Sequence, residues 1–97
     1  MPAYIVARVD VRDPELLQNY LAATPSIIEK YHGRFIVRGG STVTLEGPTE
    51  SRRIVIIEFP QLADAEAFYK SPEYSEVRKL RENIAVAEFI AVDGIKD

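Results

Sequence analysis

The sequence contains no cysteine, and this absence excludes several kinds of chemistry together. Disulfide frameworks, thiolate zinc sites and cysteine nucleophiles all need a thiol, and a chain without one fits a reducing cytoplasm, the location we expect. Histidine is almost as scarce, because His32 is the only one in 97 residues. A single histidine with no cysteine makes a poor metal site, so the sequence predicts neither a bound metal nor a cofactor.

An excess of positive charge is also lacking. The 12 Lys and Arg residues are scattered and are outnumbered by 15 Asp and Glu residues, which gives a net charge of -3. Nucleic-acid binding needs a clustered basic face, so we expect no nucleic-acid partner. No stretch approaches the ~18 consecutive apolar residues of a membrane span, and the N-terminus does not have the pattern of a signal peptide. We therefore expect no membrane partner.

Three common catalytic motifs are missing as well. The sequence has no G-x-S-x-G, no P-loop and no G-x-G-x-x-G, so serine hydrolases, NTPases and dinucleotide-binding proteins lack their minimum parts. What is present is an ordinary globular composition, 46% hydrophobic and 28% charged. The length predicts a single domain over residues 1–97 with one core.

Apolar periodicity predicts four strands and two helical regions. Alternating residues mark strands at 3–11, 34–38, 52–59 and 85–92. The helical regions follow the first and third strands, and residues 93–97 form a tail. The order βαββαβ indicates a ferredoxin-like α+β sandwich, in which a four-stranded antiparallel sheet carries both helices on one face.

Local signals set the expected ends of these elements. Asp13 is a predicted cap of the first helix, Pro25 is expected to kink or restart that helix, and Gly33 to end it. Ser71 is predicted to cap a second segment of the other helical region, so it is a cap rather than a nucleophile. The run at 42–47 is expected to extend or return along the edge of the sheet.

The sheet face that the helices leave uncovered is predicted to be largely apolar. Its members are Tyr4, Val6, Arg8, Asp10, Arg34, Ile36, Arg38, Ile54, Ile56, Glu58, Val86, Glu88, Ile90 and Val92. A solvated antiparallel face is mainly polar, so something must cover this one. The simplest cover is the same face of a second copy, which predicts a homodimer whose charged residues line a protected cleft.

Arg38 is the first candidate ligand-binding residue. On this assignment its guanidinium points into the cleft, where it suits a carboxylate or an enolate, and the two following glycines form a turn or bulge. The alternative for Arg38 is a structural ion pair with Glu58. Glu58 and Glu88, beside Arg8 and Arg38, are either acid–base catalysts or members of a neutralised network.

Other candidates are a histidine and three tyrosines. His32 is the first choice as a general base near neutral pH if there is base catalysis, but its favourable position at a helix C-terminus is the stronger explanation for it. Tyr4, Tyr69 and Tyr74 are candidate ligand-binding residues. The alternative for Tyr69 and Tyr74 is a place in the core with their hydroxyls bonded at its surface.

Several strings of the sequence together resemble a known family. "HGRFIVRGG", "LEG", "RRIVIIEFP", "AFYKSPEY", the arginine at 81 and "IAVDG" are similar to a widespread bacterial family of unknown function in the dimeric α/β-barrel superfamily. The resemblance covers nearly the whole chain and implies the fold and a dimer. Relatives in the superfamily include cofactor-independent monooxygenases, isomerases, heme-dependent enzymes and ligand-sensing domains, so the resemblance does not select an activity.

Three functional hypotheses remain. The first is a homodimer that binds a small anionic or enolisable organic molecule in a cleft on the sheet face. The second is a cofactor-independent monooxygenase or isomerase, in which His32 or a carboxylate is the base and Arg38 stabilises an oxyanion. The third is a structural or interaction dimer without a ligand.

Overall fold

Seven elements follow one another in the predicted order. They are β1 (Ala3–Val11), α1 (Pro14–Lys30), β2 (Arg34–Arg38), β3 (Arg53–Phe59), α2 (Leu62–Lys70), α3 (Pro72–Arg78) and β4 (Ala85–Asp93). The computed structural model describes residues 1–95, so the last two residues of the predicted tail lie outside it. No helix within the described part of the chain is long and apolar enough to cross a membrane.

The strands form one antiparallel sheet in the order β2-β3-β1-β4. Alternate residues of the two inner strands, such as Ile5 and Ile57, pack against Ile28 of α1 and Phe68 of α2. The three helices therefore cover one face of the sheet and leave the other uncovered. This arrangement confirms the predicted ferredoxin-like α+β fold.

The predicted helix caps are confirmed. The Asp13 carboxylate accepts a hydrogen bond of 3.1 Å from the Leu16 N–H, and the Ser71 hydroxyl oxygen accepts one of 3.1 Å from the Tyr74 N–H. Each satisfies a main-chain donor that the first turn of a helix leaves without a partner. The Ser71 cap separates α2 from α3, as the sequence predicts.

The predicted restart of the helix at Pro25 is wrong, because α1 continues through that residue to Lys30. The predicted end at Gly33 is also displaced. His32 takes the left-handed conformation, with φ of 70°, and its N–H bonds to the Glu29 carbonyl. Gly33 is needed for space instead, since a Cβ atom there would lie 2.5 Å from the Phe59 ring.

The run at 42–47 does not form the predicted edge extension. No strand lies between β2 and β3, and the side chains of Val43 and Leu45 are 82% and 93% exposed. Gly39, with φ of 72°, turns the chain away from the sheet directly after β2. Without a neighbouring strand to pair with, the alternating run stays in a loop.

A β-bulge in β2 changes the predicted facing of its second half. In the register, Phe35 lies opposite Ile57, but Val37 lies opposite Ile56 and Arg38 opposite Val55. The additional residue of the bulge reverses the alternation beyond it. Val37, predicted to lie in the core, therefore belongs to the uncovered face, and Arg38, predicted to lie on that face, belongs to the helix side.

An ion pair joins α1 to α3. The Lys30 ammonium contacts the Glu73 carboxylate, which also accepts a hydrogen bond of 2.9 Å from the Tyr31 hydroxyl. Hydrogen bonds from Lys30, from the main chain and from Tyr31 lower the Glu73 pKa from 4.5 to about 2. A carboxylate with a lowered pKa stabilises the fold above its pKa in the unfolded chain, and that contribution is lost as the pH falls toward the folded value.

Glu73→Gln is therefore expected to flatten the pH dependence of stability between about pH 4.5 and 2. The melting temperature of the wild-type protein should fall across this window more steeply than that of the variant. Thermal melts at several pH values measure the difference. Glu82→Gln is the control, because Glu82 is exposed and forms no ion pair within residues 1–95. Equal slopes for the two variants would show that the pair with Lys30 does not contribute.

Candidate functional site

A small apolar cavity lies between the sheet and α1. It has a volume of about 40 Å³. Its walls come from the inner strands, from β4 and from the buried side of α1, and include Ala7, Leu17, Ile28, Val55, Ile57, Phe68 and Phe89. Nearly all of these side chains are aliphatic or aromatic because they belong to the core-facing sides of their elements.

Two arginines line the cavity where it meets the surface. Arg38 reaches it because of the bulge, and its guanidinium carbon lies 4.3 Å from the centre of the Phe35 ring. The Arg38 Nη2 donates a hydrogen bond of 2.8 Å to the Leu21 carbonyl of α1. Arg53 is on β3, opposite Val9, and so also faces the helix side.

The turn after β2 brings the two arginines together. The Arg53 guanidinium lies directly over Gly39, where a Cβ atom would overlap it, and its Nη2 is 3.5 Å from the Arg38 carbonyl oxygen. Gly39 is thus required for its positive φ and for the close approach of Arg53. Within residues 1–95, neither Arg38 nor Arg53 forms an ion pair with a carboxylate.

An open groove adjoins the cavity. It has a volume of about 460 Å³ and shares Val9, Leu17, Leu21 and Arg53 with the cavity. The N-terminal half of α1 forms one side, and the turn after β2 forms the other. The cavity is therefore reached from the surface through a groove that has Arg53 in its wall.

A buried polar network supports the wall of the cavity. The hydroxyls of Tyr20, which lines the cavity, and Tyr74 are 2.6 Å apart, and the Arg81 Nη2 donates a hydrogen bond of 3.2 Å to the Tyr74 oxygen. Either tyrosine hydroxyl can be the donor of the bond between them, and the Tyr74 oxygen also accepts from Arg81. Burial raises the pKa of the Tyr74 hydroxyl, which therefore stays protonated.

Arg81 is a buried cation without a carboxylate partner. Its exposed fraction is 7%, its Nε has no hydrogen-bond partner within the described chain, and its guanidinium lies 5.5 Å from the Tyr20 ring and 5.1 Å from the Phe89 ring. Both rings line the cavity. The aromatic rings and the Tyr74 hydroxyl are the groups that stabilise the charge.

The candidate tyrosines lie in different places. Tyr74 is fully buried in the network behind the cavity, so the core alternative holds for it. Tyr69 stacks on Phe89 and accepts a hydrogen bond of 3.0 Å from Arg78, and it borders a separate groove between α2 and β4. Tyr4 lies on the uncovered face of the sheet, opposite Glu58 in the register.

The candidate carboxylates also lie on the uncovered face. Glu58 accepts a hydrogen bond of 2.8 Å from Arg34, its cross-strand neighbour, so the predicted ion pair with Arg38 is wrong. The bulge is the physical reason, because it places Arg38 on the opposite side of the sheet. Glu88 contacts Arg52, which also bonds to Glu50 at 2.9 Å.

A neutralised network lies at one end of the uncovered face. It consists of Arg8, Glu50, Arg52 and Glu88. Arg8 lies 3.2 Å from Glu50, and hydrogen bonds from Arg52 lower the Glu50 pKa to about 2.

The candidate base His32 lies away from the cavity. It is an exposed residue in the turn after α1 and does not line the cavity.

Three residues of the site were missed by the sequence analysis, which did not single out Tyr20, Arg53 or Arg81 for a role in it. Tyr20 was assigned to the buried stripe of α1, and Arg53 stands at the start of a strand where arginine is unremarkable. Arg81 did appear among the residues that carry the family resemblance. That resemblance was the one signal in the sequence for any of these three residues.

Tyr74→Phe is expected to lower the free energy of unfolding by about 1–3 kcal/mol, because it removes the hydroxyl oxygen that accepts the 3.2 Å hydrogen bond of the buried Arg81. Tyr20→Phe is the matched control. It removes the other half of the hydroxyl pair but keeps the Arg81 bond, so a loss of only about 0.5–1.5 kcal/mol is expected. Urea unfolding of both variants measures the difference. An equal loss would show that Arg81 does not depend on the Tyr74 oxygen.

Solved structures with a similar fold are known. The protein RPA0582 from Rhodopseudomonas palustris, of unknown function, is 24% identical with a TM-score of 0.75, over 99% of this chain and 84% of that one. SnoaB, a cofactor-independent oxygenase from Streptomyces nogalater, is 13% identical with a TM-score of 0.70, over 99% and 95%. A dimeric protein of unknown function and ferredoxin-like fold from Bacteroides fragilis is 15% identical with a TM-score of 0.67, over 96% of each chain.

At these identities the structures establish a shared fold and no shared activity. No curated protein matches the chain significantly. Residues 2–95 match a family described as a domain of unknown function, DUF1330. The match covers almost all of the sequence and agrees with the resemblance carried by its strings. The chain therefore belongs to the DUF1330 family.

Proposed function

We propose that this protein binds a small organic acid in the cavity between the sheet and α1. Its carboxylate bonds to Arg38 and Arg53, and its apolar part enters the cavity. The observation that carries this proposal is that two guanidinium groups border an otherwise apolar cavity and have no carboxylate partner among residues 1–95. A guanidinium offers planar, paired donors that match a carboxylate.

The size of the cavity limits the ligand. An engineered cavity of about 150 Å³ binds benzene. The present cavity, of about 40 Å³, has room for a short aliphatic group and not for an aromatic ring. A longer or more polar part of the ligand has space in the adjoining groove, of about 460 Å³. The best-fitting class is therefore a short-chain aliphatic carboxylate or oxo acid.

The lining of the cavity favours binding over acid–base catalysis. The only side chains with exchangeable protons there are Tyr20, Thr24 and the two arginines. The Tyr20 hydroxyl is already paired with Tyr74. The candidate bases His32 and Glu58 are not part of the lining. The second candidate function is that of a cofactor-independent oxygenase like SnoaB, and only the similarity of the fold supports it. Because His32 and Glu58 do not line the cavity, such an oxygenase would need a substrate acidic enough to lose its proton without them.

We also propose that the uncovered face of the sheet forms a homodimer. Several of its large apolar side chains are exposed in the single chain, including Val86 at 57% and Ile90 at 60%. The face also carries ion pairs between Arg34 and Glu58 and around Glu50, which neutralise its charges before burial. The cavity lies on the opposite, helical side, so a dimer through this face leaves the cavity accessible.

The first test titrates isotopically labelled protein with sodium butyrate and follows NMR shifts, with 1-butanol as the uncharged probe. Butyrate should shift cavity residues and bind more tightly than butanol. Arg38→Ala should weaken butyrate binding by ~1.5–3 kcal/mol, the value of a charge-assisted hydrogen bond. Arg34→Ala is the matched control, because Arg34 is on the same strand but bonds to Glu58 on the other face.

Two results would contradict the proposed binding of a small organic acid. If butyrate and its homologues up to octanoate leave the cavity residues unshifted, the proposed ligand class is wrong. If Arg34→Ala weakens binding as much as Arg38→Ala does, the effect is one of net charge and the assigned site is wrong.

The second test concerns the dimer. Gel filtration with light scattering should give twice the chain mass of 10.9 kDa at micromolar concentration. Ile90→Glu should shift the protein to the monomer mass, because it places an unpaired carboxylate in an apolar contact. Leu16→Glu is the control, since Leu16 is an exposed residue of α1 on the helical side. A wild-type monomer, or a dimer unaffected by Ile90→Glu, would rule out this interface.

A further inference from the structure

Pro25 leaves an unusual acceptor in the middle of α1. A proline has no N–H, so the carbonyl four residues earlier, that of Leu21, loses its helical donor. The proline ring also crowds the carbonyl of the residue four positions earlier. Two side chains replace the missing donor: the Thr24 hydroxyl at 3.4 Å and the Arg38 Nη2 at 2.8 Å.

The bond from Arg38 joins the end of β2 to α1 beside the cavity. Leu21, Thr24 and Arg38 all line the cavity. The bond holds one end of the guanidinium, and its carbon lies 4.3 Å from the centre of the Phe35 ring. The remaining N–H groups of Arg38 have no partner within residues 1–95, so they are left for another acceptor.

We infer that Pro25 is a positioning residue for ligand binding. By freeing the Leu21 carbonyl, it holds the Arg38 guanidinium beside the cavity before a carboxylate arrives. This inference rests on the proposed function, in which Arg38 binds the ligand. An arginine that is ordered during folding need not be ordered again on binding, and this raises affinity without adding a contact to the ligand.

Pro25→Ala separates this role from a structural one because stability and affinity should change in opposite directions. The new N–H at position 25 takes the Leu21 carbonyl back into the helix, so the melting temperature should rise. Arg38 then loses its anchor, and butyrate affinity should fall by about 2- to 10-fold, the loss expected when one long side chain must be ordered on binding.

Ser26→Ala is the matched control. It also replaces a poorer helix former with alanine, at the exposed residue next to Pro25. It leaves the Leu21 carbonyl without a main-chain N–H donor, so the carbonyl can still accept from Arg38. It should stabilise the helix slightly and leave butyrate affinity unchanged. The double variant Pro25→Ala with Arg38→Ala should bind butyrate no more weakly than Arg38→Ala alone, since both changes act through one group.

A second readout needs no ligand. The heteronuclear ¹⁵N NOE of the Arg38 Nε–H group reports how ordered the guanidinium is on the nanosecond timescale. It should be lower in Pro25→Ala than in the wild-type protein or in Ser26→Ala. An unchanged NOE or an unchanged butyrate affinity in Pro25→Ala would overturn the inference.

The two proposals fail in distinguishable ways. If Arg38→Ala leaves butyrate binding intact, the proposed function is wrong and the role of Pro25 in binding is lost with it. If Arg38→Ala weakens binding but Pro25→Ala does not, Arg38 binds the ligand without help from the proline. Only a loss of both affinity and Arg38 order in Pro25→Ala supports the inference.

Discussion

The bulge in β2 determines which side chains meet on each side of the sheet. With regular alternation, Arg38 would face the uncovered side together with Glu58. Arg53 would then be the one arginine that borders the cavity. The shift in register places Phe35 and Arg38 on the same side instead. The guanidinium can then stack on the Phe35 ring and reach the Leu21 carbonyl. The position of Arg38 beside the cavity depends on this local irregularity.

The Arg-Gly-Gly string has three residues with three different roles. Arg38 faces the cavity. Gly39 takes a positive φ and leaves room for the Arg53 guanidinium, so any side chain there would disturb both the turn and the second arginine. Gly40 has no atom within 4 Å of the position its Cβ would occupy, so space does not require a glycine at that residue. The string is therefore a turn that also brings two arginines together.

Much of the fold was predictable because its signals are local. The alternation in β1 and the caps at Asp13 and Ser71 act within a few residues, and they gave the strand and most helix boundaries. The bulge was not predictable, since β2 has three consecutive apolar residues between two arginines, and such a short run does not show which face each residue takes. The hydrogen bond from Arg38 to the Leu21 carbonyl of α1 joins two different elements, and no pattern within either element predicts it.

The candidate site was predictable only in part for the same reason. The Tyr20–Tyr74 hydroxyl pair joins residues 54 positions apart, and nothing near either tyrosine indicates the other. The apolar character of the uncovered face, by contrast, follows from counting alternate residues on the four strands. Patterns within one element predict where a side chain faces. They do not predict which polar groups from different elements become partners.

The distribution of ion pairs gives the strongest argument about where a ligand binds. On the uncovered face, Arg8, Arg34 and Arg52 all contact carboxylates, which is what a face needs before a second copy excludes water from it. Beside the cavity, Arg38 and Arg53 contact no carboxylate of residues 1–95. The chain carries a net charge of -3, so acidic side chains are in excess, yet none lines the cavity among the described residues. In the proposed function, a carboxylate from outside the chain is the partner of these two arginines.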